Sequence, residues 1–322
     1  MGDPAGIGPE IALKALVSDD RPSNCEIMII GDLSIFEKAA RRFLPFARLH
    51  AIQNLQSMLP GYINILDMHA ITPNDYVIGK AQAVCGRAAY TYITKGIELA
   101  LNGTVDAIVT NPISKEALSM AGIDYPGHTE ILADKTGIKD FSMMFACENV
   151  FVVHVTTHVS LKQAITMISQ ERVLSHTRLL NNALKNLGIE SPRIAVSGLN
   201  PHAGENGLFG DEEIVHIAPA VKQAVSEGML VSGPYPPDTV FMRAFKGEFD
   251  GVVSMLHDHG FVALKSRDFE AGVNITLGLP IIRTSVGHGT AFDKAGKGIA
   301  SEKSLLAALK AALRMVESKR RK

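Results

Sequence analysis

The sequence lacks a strong excess of either charge and any long apolar run. Its 322 residues contain 32 basic and 33 acidic side chains, which gives a formal net charge of −1. A chain so close to neutral has no global field that would attract nucleic acid or an anionic membrane. No apolar run reaches the length of a membrane-spanning helix, and the opening MGDPAGIGPE has neither the basic start nor the apolar core of a signal peptide.

Cysteine is also scarce. The three cysteines, Cys25, Cys85 and Cys147, are odd in number and have no C-x-x-C spacing. Cys25 and Cys147 lie in or beside apolar runs, where buried thiols are common. We therefore expect a reducing environment and a cytoplasmic location.

Internal repeats and low-complexity linkers are absent as well. A chain of 322 residues exceeds the usual size of one hydrophobic core, which predicts two domains. The candidate crossings are the stretch Tyr125–Gly127 and the turn Ser285–Gly289. They predict a first α/β lobe of residues 1–126 plus 285–322 and a second α/β lobe of residues 127–284.

Short apolar runs alternate with helix-like segments along the chain, which predicts an α/β fold with mainly parallel sheets. Several runs are β-branched and apolar on both faces, as is typical of strands covered by helices on two sides. The predicted strands are Glu26–Gly31, Tyr62–Leu66, Ala107–Thr110, Val150–Val155, Arg193–Gly198, Gly251–Leu256 and Pro280–Thr284. The predicted helices include Gly86–Leu101, Glu171–Leu187, Glu212–Glu227 and a last helix that starts at Ser301, a good N-cap.

Three histidines follow strand-like runs: His158, His202 and His257. A strand that ends near a histidine delivers the imidazole to a sheet edge, where open α/β folds build their sites. Three imidazoles match the ligand set of a catalytic divalent metal with an open coordination position. One such histidine alone is more often structural or simply exposed, and we expect His154, inside an apolar run, to be structural.

Polar residues elsewhere carry weaker signals. The three glycines of GDPAGIGPE are typical either of an anion-binding loop or of a tight turn into a helix begun by Pro9. Thr129, after His128, reads as an N-cap or as a donor to a phosphate. Lys265, Asn274 and Arg283 could balance an anionic substrate or be solvated, and Asp238 reads as a helix cap. The glycine-rich loop 287–298 is by itself only a flexible loop.

Along essentially its whole length, the chain resembles the 4-hydroxythreonine-4-phosphate dehydrogenase family of vitamin B6 (pyridoxine) biosynthesis. The matching segments, in order, are GDPAGIGPE, NPISKEAL, YPGHTE, TTHVSL, LNPHAGENGLFGDEE, PPDTVF, HDHG, GVNITLGLPIIRTSVGHGTA and AGKG. The resemblance implies a two-lobed isocitrate/isopropylmalate dehydrogenase-like fold. It also implies a homodimer, whose site lies in a cleft at the dimer interface and has its metal completed by the neighbouring subunit.

The resemblance also implies roles for individual residues. It places the metal ligands on His158, His202 and His257, with zinc, magnesium, manganese or cobalt as the metal. It places substrate binding on His128, Thr129, Lys265, Asn274 and Arg283, with Asp238 as a further contact. We expect Lys265 and Asp238 to take part in catalysis, with Lys265 relaying the proton. The loop HGTAFDKAGKGIA is similar to the adenosine-binding loop of isopropylmalate dehydrogenases, which makes Gly289, Asp293 and Gly296 candidates for binding NAD.

Two departures from the family pattern matter. The family usually has a strand before GDPAGIGPE, whereas this sequence starts on the motif at Met1, so we expect a weaker first sheet unless the true start lies upstream. The family also commonly reads HDQG where this chain has His257-Asp258-His259-Gly260. His259 therefore adds a titratable group beside the predicted metal.

The segments GENGLFGDEE and PPDTVF look closer to a sister group that acts on 4-phospho-D-threonate or 4-phospho-D-erythronate. We therefore expect metal-dependent oxidation of the C3 hydroxyl by NAD, followed by decarboxylation, with the vitamin B6 enzyme as the alternative. A phosphotransacetylase-like acyltransferase shares the two-lobed architecture and needs neither metal nor NAD. A non-catalytic metal- or ligand-binding protein with the same fold is a further alternative.

Overall fold

The computed structural model describes residues 1–267 and 272–321. The chain folds into two compact units. The first comprises Met1–Lys139 and Leu279–Val316, and the second comprises Asp140–Gly278 together with the chain from Glu317. Among the described residues, no helix combines the length and the apolar character needed to cross a membrane.

The first unit contains five strands. They are β1 (Met28–Gly31), β2 (Leu49–Ile52), β3 (Ile63–Asp67), β4 (Ala107–Thr110) and β11 (Ile282–Val286). Its helices are α1 (Gly8–Val17), α2 (Leu33–Phe43), α3 (Ala83–Leu101), α4 (Lys115–Met120) and α5 (His128–Thr136), and the last helix of the chain is α11 (Lys303–Arg320).

All strand pairs in the first unit are parallel. β1 and β2 both pair with β3, and β11 pairs with β4 so that Arg283 lies opposite Ile108. Apolar side chains of α1, α2 and β3, among them Ile11, Phe36 and Ile65, form one buried core. Because parallel strands end at the same edge, this pairing brings Arg283 of β11 beside Thr110, the last residue of β4.

The described part of the second unit contains six strands. They are β5 (Ser142–Cys147), β6 (Val150–His154), β7 (Arg193–Ser197), β8 (Leu230–Tyr235), β9 (Gly251–Ser254) and β10 (Val273–Leu277). Its helices are α6 (Leu161–Thr166), α7 (Gln170–Asn186), α8 (Ala218–Ser226), α9 (Val240–Phe245) and α10 (His257–Arg267), with a π-helical turn at Glu213–Ile217 before α8.

The strand order in the second unit is β10-β5-β6-β9-β7-β8. β5 runs antiparallel to both of its neighbours, whereas β6, β9, β7 and β8 are mutually parallel. The predicted α/β class with a mainly parallel sheet is confirmed. Because β6, β9 and β7 are adjacent and parallel, the segments that carry His158, His257 and His202 leave the sheet at one edge.

Four of the strands were not predicted from the sequence, namely β2, β5, β8 and β10. β8 contains Gly233 and Pro234, which a strand tolerates at the edge of a sheet, where β8 lies. β5 is built from Ser, Met, Phe, Ala and Cys and lacks the β-branched residues that mark the other strands. Cys25 lies beside an apolar run, where a buried thiol is common, but it is exposed in the loop before β1. None of the three cysteines forms a disulfide.

The unit boundaries differ from the predicted lobe boundaries. α5 carries Ile131 and Leu132 into a buried cluster with Ile93 of α3 and Leu118 of α4. This packing includes α5 in the first unit. His128, Thr129 and Arg283 therefore belong to the first unit, not to the lobe that the sequence analysis assigned to them.

Candidate metal and substrate site

Two of the three predicted metal ligands lie close together. The imidazole centroids of His158 and His257 are 5.9 Å apart. Two imidazoles on one tetrahedral zinc, with Zn–N distances of about 2.1 Å, would have centroids roughly 5 Å apart. The pair is therefore within about an ångström of the spacing that a shared metal requires.

A carboxylate supports His257 from behind. Nδ1 of His257 lies 2.7 Å from Oδ1 of Asp258, so a hydrogen bond to the carboxylate fixes one ring nitrogen and leaves Nε2 for a ligand. Carboxylates that accept from the second nitrogen of a metal-binding histidine orient the ring and raise its basicity. The pairing fits a metal ligand better than an isolated surface histidine.

His202 lies in a turn with an unusual backbone. Five consecutive residues, His202 to Asn206, have positive φ angles between 43° and 80°. Left-handed geometry disfavours residues that carry a Cβ, at about 1–2 kcal/mol each, so such a run persists only where its surroundings enforce it. The His202 side chain is 69% exposed, which leaves the imidazole accessible.

Glu213, which the sequence analysis did not single out, holds this turn in place. Its Oε1 accepts the backbone N–H groups of Leu199 at 2.7 Å and Asn200 at 2.8 Å, and its Oε2 accepts the amide of Asn200 at 3.0 Å. A Cβ at Gly204 would come within 2.7 Å of the same carboxylate. In the sequence Glu213 reads as a solvated charge in GDEE, and only its burial, at 3% exposed, reveals the role.

One chain does not assemble all three histidines into a closed site. Among the described residues, no group of three or more His, Cys, Asp or Glu side chains is arranged to hold a metal ion. The structure brings His158 and His257 together and leaves His202 outside that pair. Imidazole nitrogens suit zinc and similar divalent transition metals, so the donors that are present fit a divalent metal.

The first unit contains a buried cation. Arg283 is 2% exposed, and its Nε and Nη2 donate to Oγ1 of Thr110 at 3.2 and 2.7 Å. Burial lowers the pKa of Arg283, because the charged guanidinium is held out of water. An anionic group of a substrate would offset this loss of solvation.

His128 lies in the electrostatic field of the same arginine. Burial, followed by the positive charge of Arg283, lowers the pKa of His128 well below its usual value, so the ring is neutral. Its Nε2 is buried and has no hydrogen-bond partner among the described residues. Thr129 follows in the first turn of α5; it is not the N-cap, which is Gly127 in an extended conformation. Thr129 therefore has no capping role, and the reading of it as an N-cap is wrong.

The second unit carries the remaining predicted substrate residues. Lys265 on α10 places its Nζ 5.0 Å from the ring centroid of Phe261. Asn274 lies on β10 and has a buried Oδ1 with no hydrogen-bond partner among the described residues. Asp238 is exposed in the turn before α9, whose N-cap is Thr239, so the reading of Asp238 as a helix cap is wrong.

The glycine-rich loop is held by α1. Glu10 accepts the backbone N–H groups of Gly298 at 3.1 Å and Ala300 at 2.8 Å, while Lys14 donates to the carbonyls of the same two residues at 2.9 and 2.7 Å. Gly289 has open space around it and Gly296 has a φ of 70°.

The opening motif packs against this same loop. The N–H of Ile7 donates to the carbonyl of Thr290 at 3.0 Å, and a Cβ at Gly6 would come within 3.1 Å of Thr290. GDPAGIGPE is therefore the turn that leads into α1, as the second of its two readings expects. Its glycines allow close approach to the glycine-rich loop.

His259, the departure from the family pattern, lies in the first turn of α10. Burial lowers its pKa, partly offset by Asp258, and its Nδ1 is buried without a hydrogen-bond partner among the described residues. His259 lies two residues after His257, one of the predicted metal ligands.

The chain is similar to known dehydrogenases over nearly its whole length. Over 318 residues, the chain is 46% identical to D-threonate 4-phosphate dehydrogenase of Salmonella typhimurium, and the alignment covers 98% of this chain and 97% of the relative. The crystal structure of 4-hydroxythreonine-4-phosphate dehydrogenase from Klebsiella pneumoniae superposes with a TM-score of 0.89 at 44% identity, covering 98% of each chain. The predicted relation to these dehydrogenases, and the fold that it implies, are confirmed.

The acyltransferase alternative receives support from the fold alone. A branched-chain phosphotransacylase from Enterococcus faecalis V583 matches with a TM-score of 0.52 at 13% identity. By contrast, the sequence profile described as "Pyridoxal phosphate biosynthetic protein PdxA" matches residues 23–312, which is most of the chain. The chain belongs to the PdxA family.

Proposed function

We propose that this chain is a divalent-metal-dependent NAD oxidoreductase that oxidises the C3 hydroxyl of 4-phospho-D-threonate and so prepares the product for decarboxylation. The observation that carries the proposal is the imidazole pair of His158 and His257, backed by Asp258, in a chain 46% identical to a D-threonate 4-phosphate dehydrogenase. The cytoplasmic location expected from the cysteines stays a prediction.

The metal would be held by His158, His202 and His257, and the NAD by the loop that contains Gly289, Asp293 and Gly296. When bound, these two groups supply polarisation of the C3 hydroxyl and an acceptor for the C3 hydride. The metal can be zinc, cobalt, manganese or magnesium, and the all-imidazole donor set favours zinc or cobalt over manganese and magnesium, which prefer oxygen ligands.

The protein side chains handle the proton and the charges. Lys265 is our candidate for taking the proton of the C3 hydroxyl, and Asp238 for a further contact in catalysis. Arg283, with His128 and Thr129, would bind one anionic group of the substrate. Lys265 and Asn274 would bind the other. Oxidation leaves a ketone β to the carboxylate, so carbon dioxide departs with its bonding electrons left on the α carbon, which then takes up a proton.

The catalyst would be a homodimer. Within the described residues of one chain, His202 does not join His158 and His257 in a three-ligand group. In a site shared between two copies of the chain, the third imidazole would come from the other copy. Four apolar side chains that follow His202 in sequence are exposed, namely Leu208, Phe209, Ile214 and Val215. Exposed apolar groups beside a metal ligand favour a second copy of the chain as the partner.

Two relatives in the family are named for different substrates, and the substrate of this chain therefore has to be tested. The relative from Salmonella typhimurium is named for D-threonate 4-phosphate, a 2-hydroxy acid, whereas the structure from Klebsiella pneumoniae carries the name of the 2-amino substrate. The test is NADH formation by the purified protein with 4-phospho-D-threonate, 4-phospho-D-erythronate and 4-hydroxythreonine 4-phosphate, with and without added metal. Turnover of 4-phospho-D-threonate that stops on chelation supports the proposal, whereas turnover unaffected by chelation or confined to 4-hydroxythreonine 4-phosphate contradicts it.

A further inference from the structure

Phe261 lies beside two of the predicted functional residues, His257 and Lys265, although no role was expected for it. Its ring centroid is 4.5 Å from that of His257, at 40° between the planes. On the same ring, Nζ of Lys265 lies 5.0 Å from the centroid. One aromatic ring therefore touches both a predicted metal ligand and the predicted proton acceptor.

The spacing along α10 explains this arrangement. His257, Phe261 and Lys265 are four residues apart in turn, so they lie on one face of the helix. An aromatic side chain in the middle of such a series contacts the side chains one turn before and one turn after it. The ring lies next to Nζ of Lys265 and restricts where that nitrogen can lie. It also attracts the side chain whenever the nitrogen carries a proton.

His154 supports the ring from the core. Its imidazole stacks on Phe261 with centroids 4.5 Å apart and only 4° between the planes. His154 is 2% exposed, and neither of its ring nitrogens has a hydrogen-bond partner among the described residues. An imidazole in such a place loses hydrogen bonds to water, and a plain apolar side chain would avoid that loss.

The helix backbone fits closely around this imidazole. A Cβ at residue 260 would lie 2.2 Å from Nε2 of His154, so only glycine at this position lets His154 and the first turn of α10 occupy their places together. Phe145 contacts the other side of the cluster, with an edge-to-face ring centroid distance of 5.0 Å from Phe261. The ring of Phe261 thus contacts three other aromatic rings, those of Phe145, His154 and His257.

We infer that the stacked pair of His154 and Phe261 is a positioning element that holds His257 and Lys265 in their relative places on α10. The inference rests on the proposed function for the roles of those two residues. Neither His154 nor Phe261 is assigned contact with metal or substrate, and both act through the residues that they touch.

The test uses cobalt binding to the full-length protein stripped of metal with a chelator, followed by the visible absorption of bound Co²⁺. Phe261→Leu keeps the site apolar and removes the aromatic face; we expect a Kd for Co²⁺ about tenfold weaker, by analogy with residues that orient metal ligands, and a raised KM for 4-phospho-D-threonate. His154→Leu should give the same changes in smaller measure. His154→Phe preserves the stack and should restore wild-type values.

Phe249→Leu is the matched control. Phe249 is buried in the same core as Phe261 but packs on Tyr235 and Arg243. It should lower the melting temperature by a similar amount and leave the Kd for Co²⁺ and the KM unchanged. Equal changes in Kd and KM for Phe261→Leu and Phe249→Leu would overturn the inference.

Two readouts separate this inference from the proposed function. Failure of the wild-type protein to bind Co²⁺ would refute the metal-dependent function. The crystal structure of Phe261→Leu decides the inference independently, because displaced side chains of His257 and Lys265 support a positioning role. Unchanged positions of both side chains would refute it, whatever the metal titration gives.

Discussion

Oε1 of Glu213 accepts the backbone N–H of Asn200 at 2.8 Å, and through this bond a buried carboxylate supports the turn that carries His202. The same oxygen accepts the N–H of Leu199. A left-handed run of five residues needs such external support, because its own backbone geometry is unfavourable. Glu213 is therefore expected to control the position of His202 without touching a metal or substrate itself.

Replacing Glu213 should weaken metal binding. In Glu213→Gln an amide NH2 group replaces one carboxylate oxygen and cannot accept the bond from the Asn200 side chain, and the remaining oxygen is a neutral and weaker acceptor for the backbone N–H groups of Leu199 and Asn200, so the turn should relax. We expect the Kd for Co²⁺ to rise about tenfold to a hundredfold and the free energy of unfolding to fall by about 1–3 kcal/mol. Glu248→Gln, which alters an exposed pair with Arg243, is the control. Wild-type cobalt affinity in Glu213→Gln would show that the turn holds its shape without this carboxylate.

Removal of His202 should abolish both metal binding and catalysis. His202→Ala deletes an exposed side chain, so the fold should persist with an unchanged melting temperature. We expect no bound divalent metal by elemental analysis and no detectable NADH formation. His216→Ala, a second histidine of the same unit, should behave as the wild type. Retained dehydrogenase activity in His202→Ala would exclude this residue from the metal site.

Replacement of Arg283 should separate binding from stability. Arg283→Met fills the same space with an apolar side chain and removes a cation that is held out of water. We expect the KM for the phosphorylated substrate to rise by about a hundredfold or more, since removing one partner of a buried charge pair costs about 3–5 kcal/mol. The melting temperature of the free protein should stay level or rise. The exposed Arg41→Met is the control, and a wild-type KM in Arg283→Met would refute the anion-binding role.

The stability of the protein should depend on pH through Asp3. Burial raises the pKa of Asp3 to about 6, with the N–H groups of Ala5 and Ser114 opposing the shift. Because the folded state holds this proton more tightly than the unfolded chain does, the contribution is fully present below about pH 4 and is lost as the pH rises to about 6. The loss amounts to about 3 kcal/mol at most.

Asp3→Asn isolates this contribution. The difference in unfolding free energy between the variant and the wild type, measured by urea denaturation from pH 4 to pH 8, should change across this range in favour of the variant and then level off. Taking the difference cancels the contributions of the buried histidines, among them His128 and His154. A difference that is constant with pH would mean that Asp3 is ionised throughout.

The parts of the fold that follow from local patterning could be predicted. Ala107–Thr110 was predicted residue for residue, and the strands before His158, His202 and His257 end within two residues of their predicted ends. Of the strands that were missed, β8 carries glycine and proline and β5 lacks β-branched residues, whereas β2 and β10 are short runs of four and five residues, and pairing with their neighbours makes them strands. Element type at these positions is therefore set by tertiary contacts that a linear pattern does not contain.

The candidate site divides in the same way. Histidines after strands could be recognised because strand order and direction place them at one edge. Glu213, Phe261 and His154 could not, since a charged residue, an aromatic residue and an apolar-flanked histidine read as surface or core until their contacts are known. The sequence does not show that Glu213 is buried, and only burial reveals that its carboxylate holds the turn before His202.

The bracing of the glycine-rich loop by Glu10 and Lys14 has a practical consequence for protein engineering. These two side chains bind backbone atoms of Gly298 and Ala300, so the path of the loop is specified from outside it. Asp293, Lys294 and Lys297 are exposed on the loop and contribute none of these four bonds. Their identities can therefore be varied on a fixed backbone, which makes this loop, the segment proposed to bind NAD, a suitable place to redesign the preference between dinucleotides.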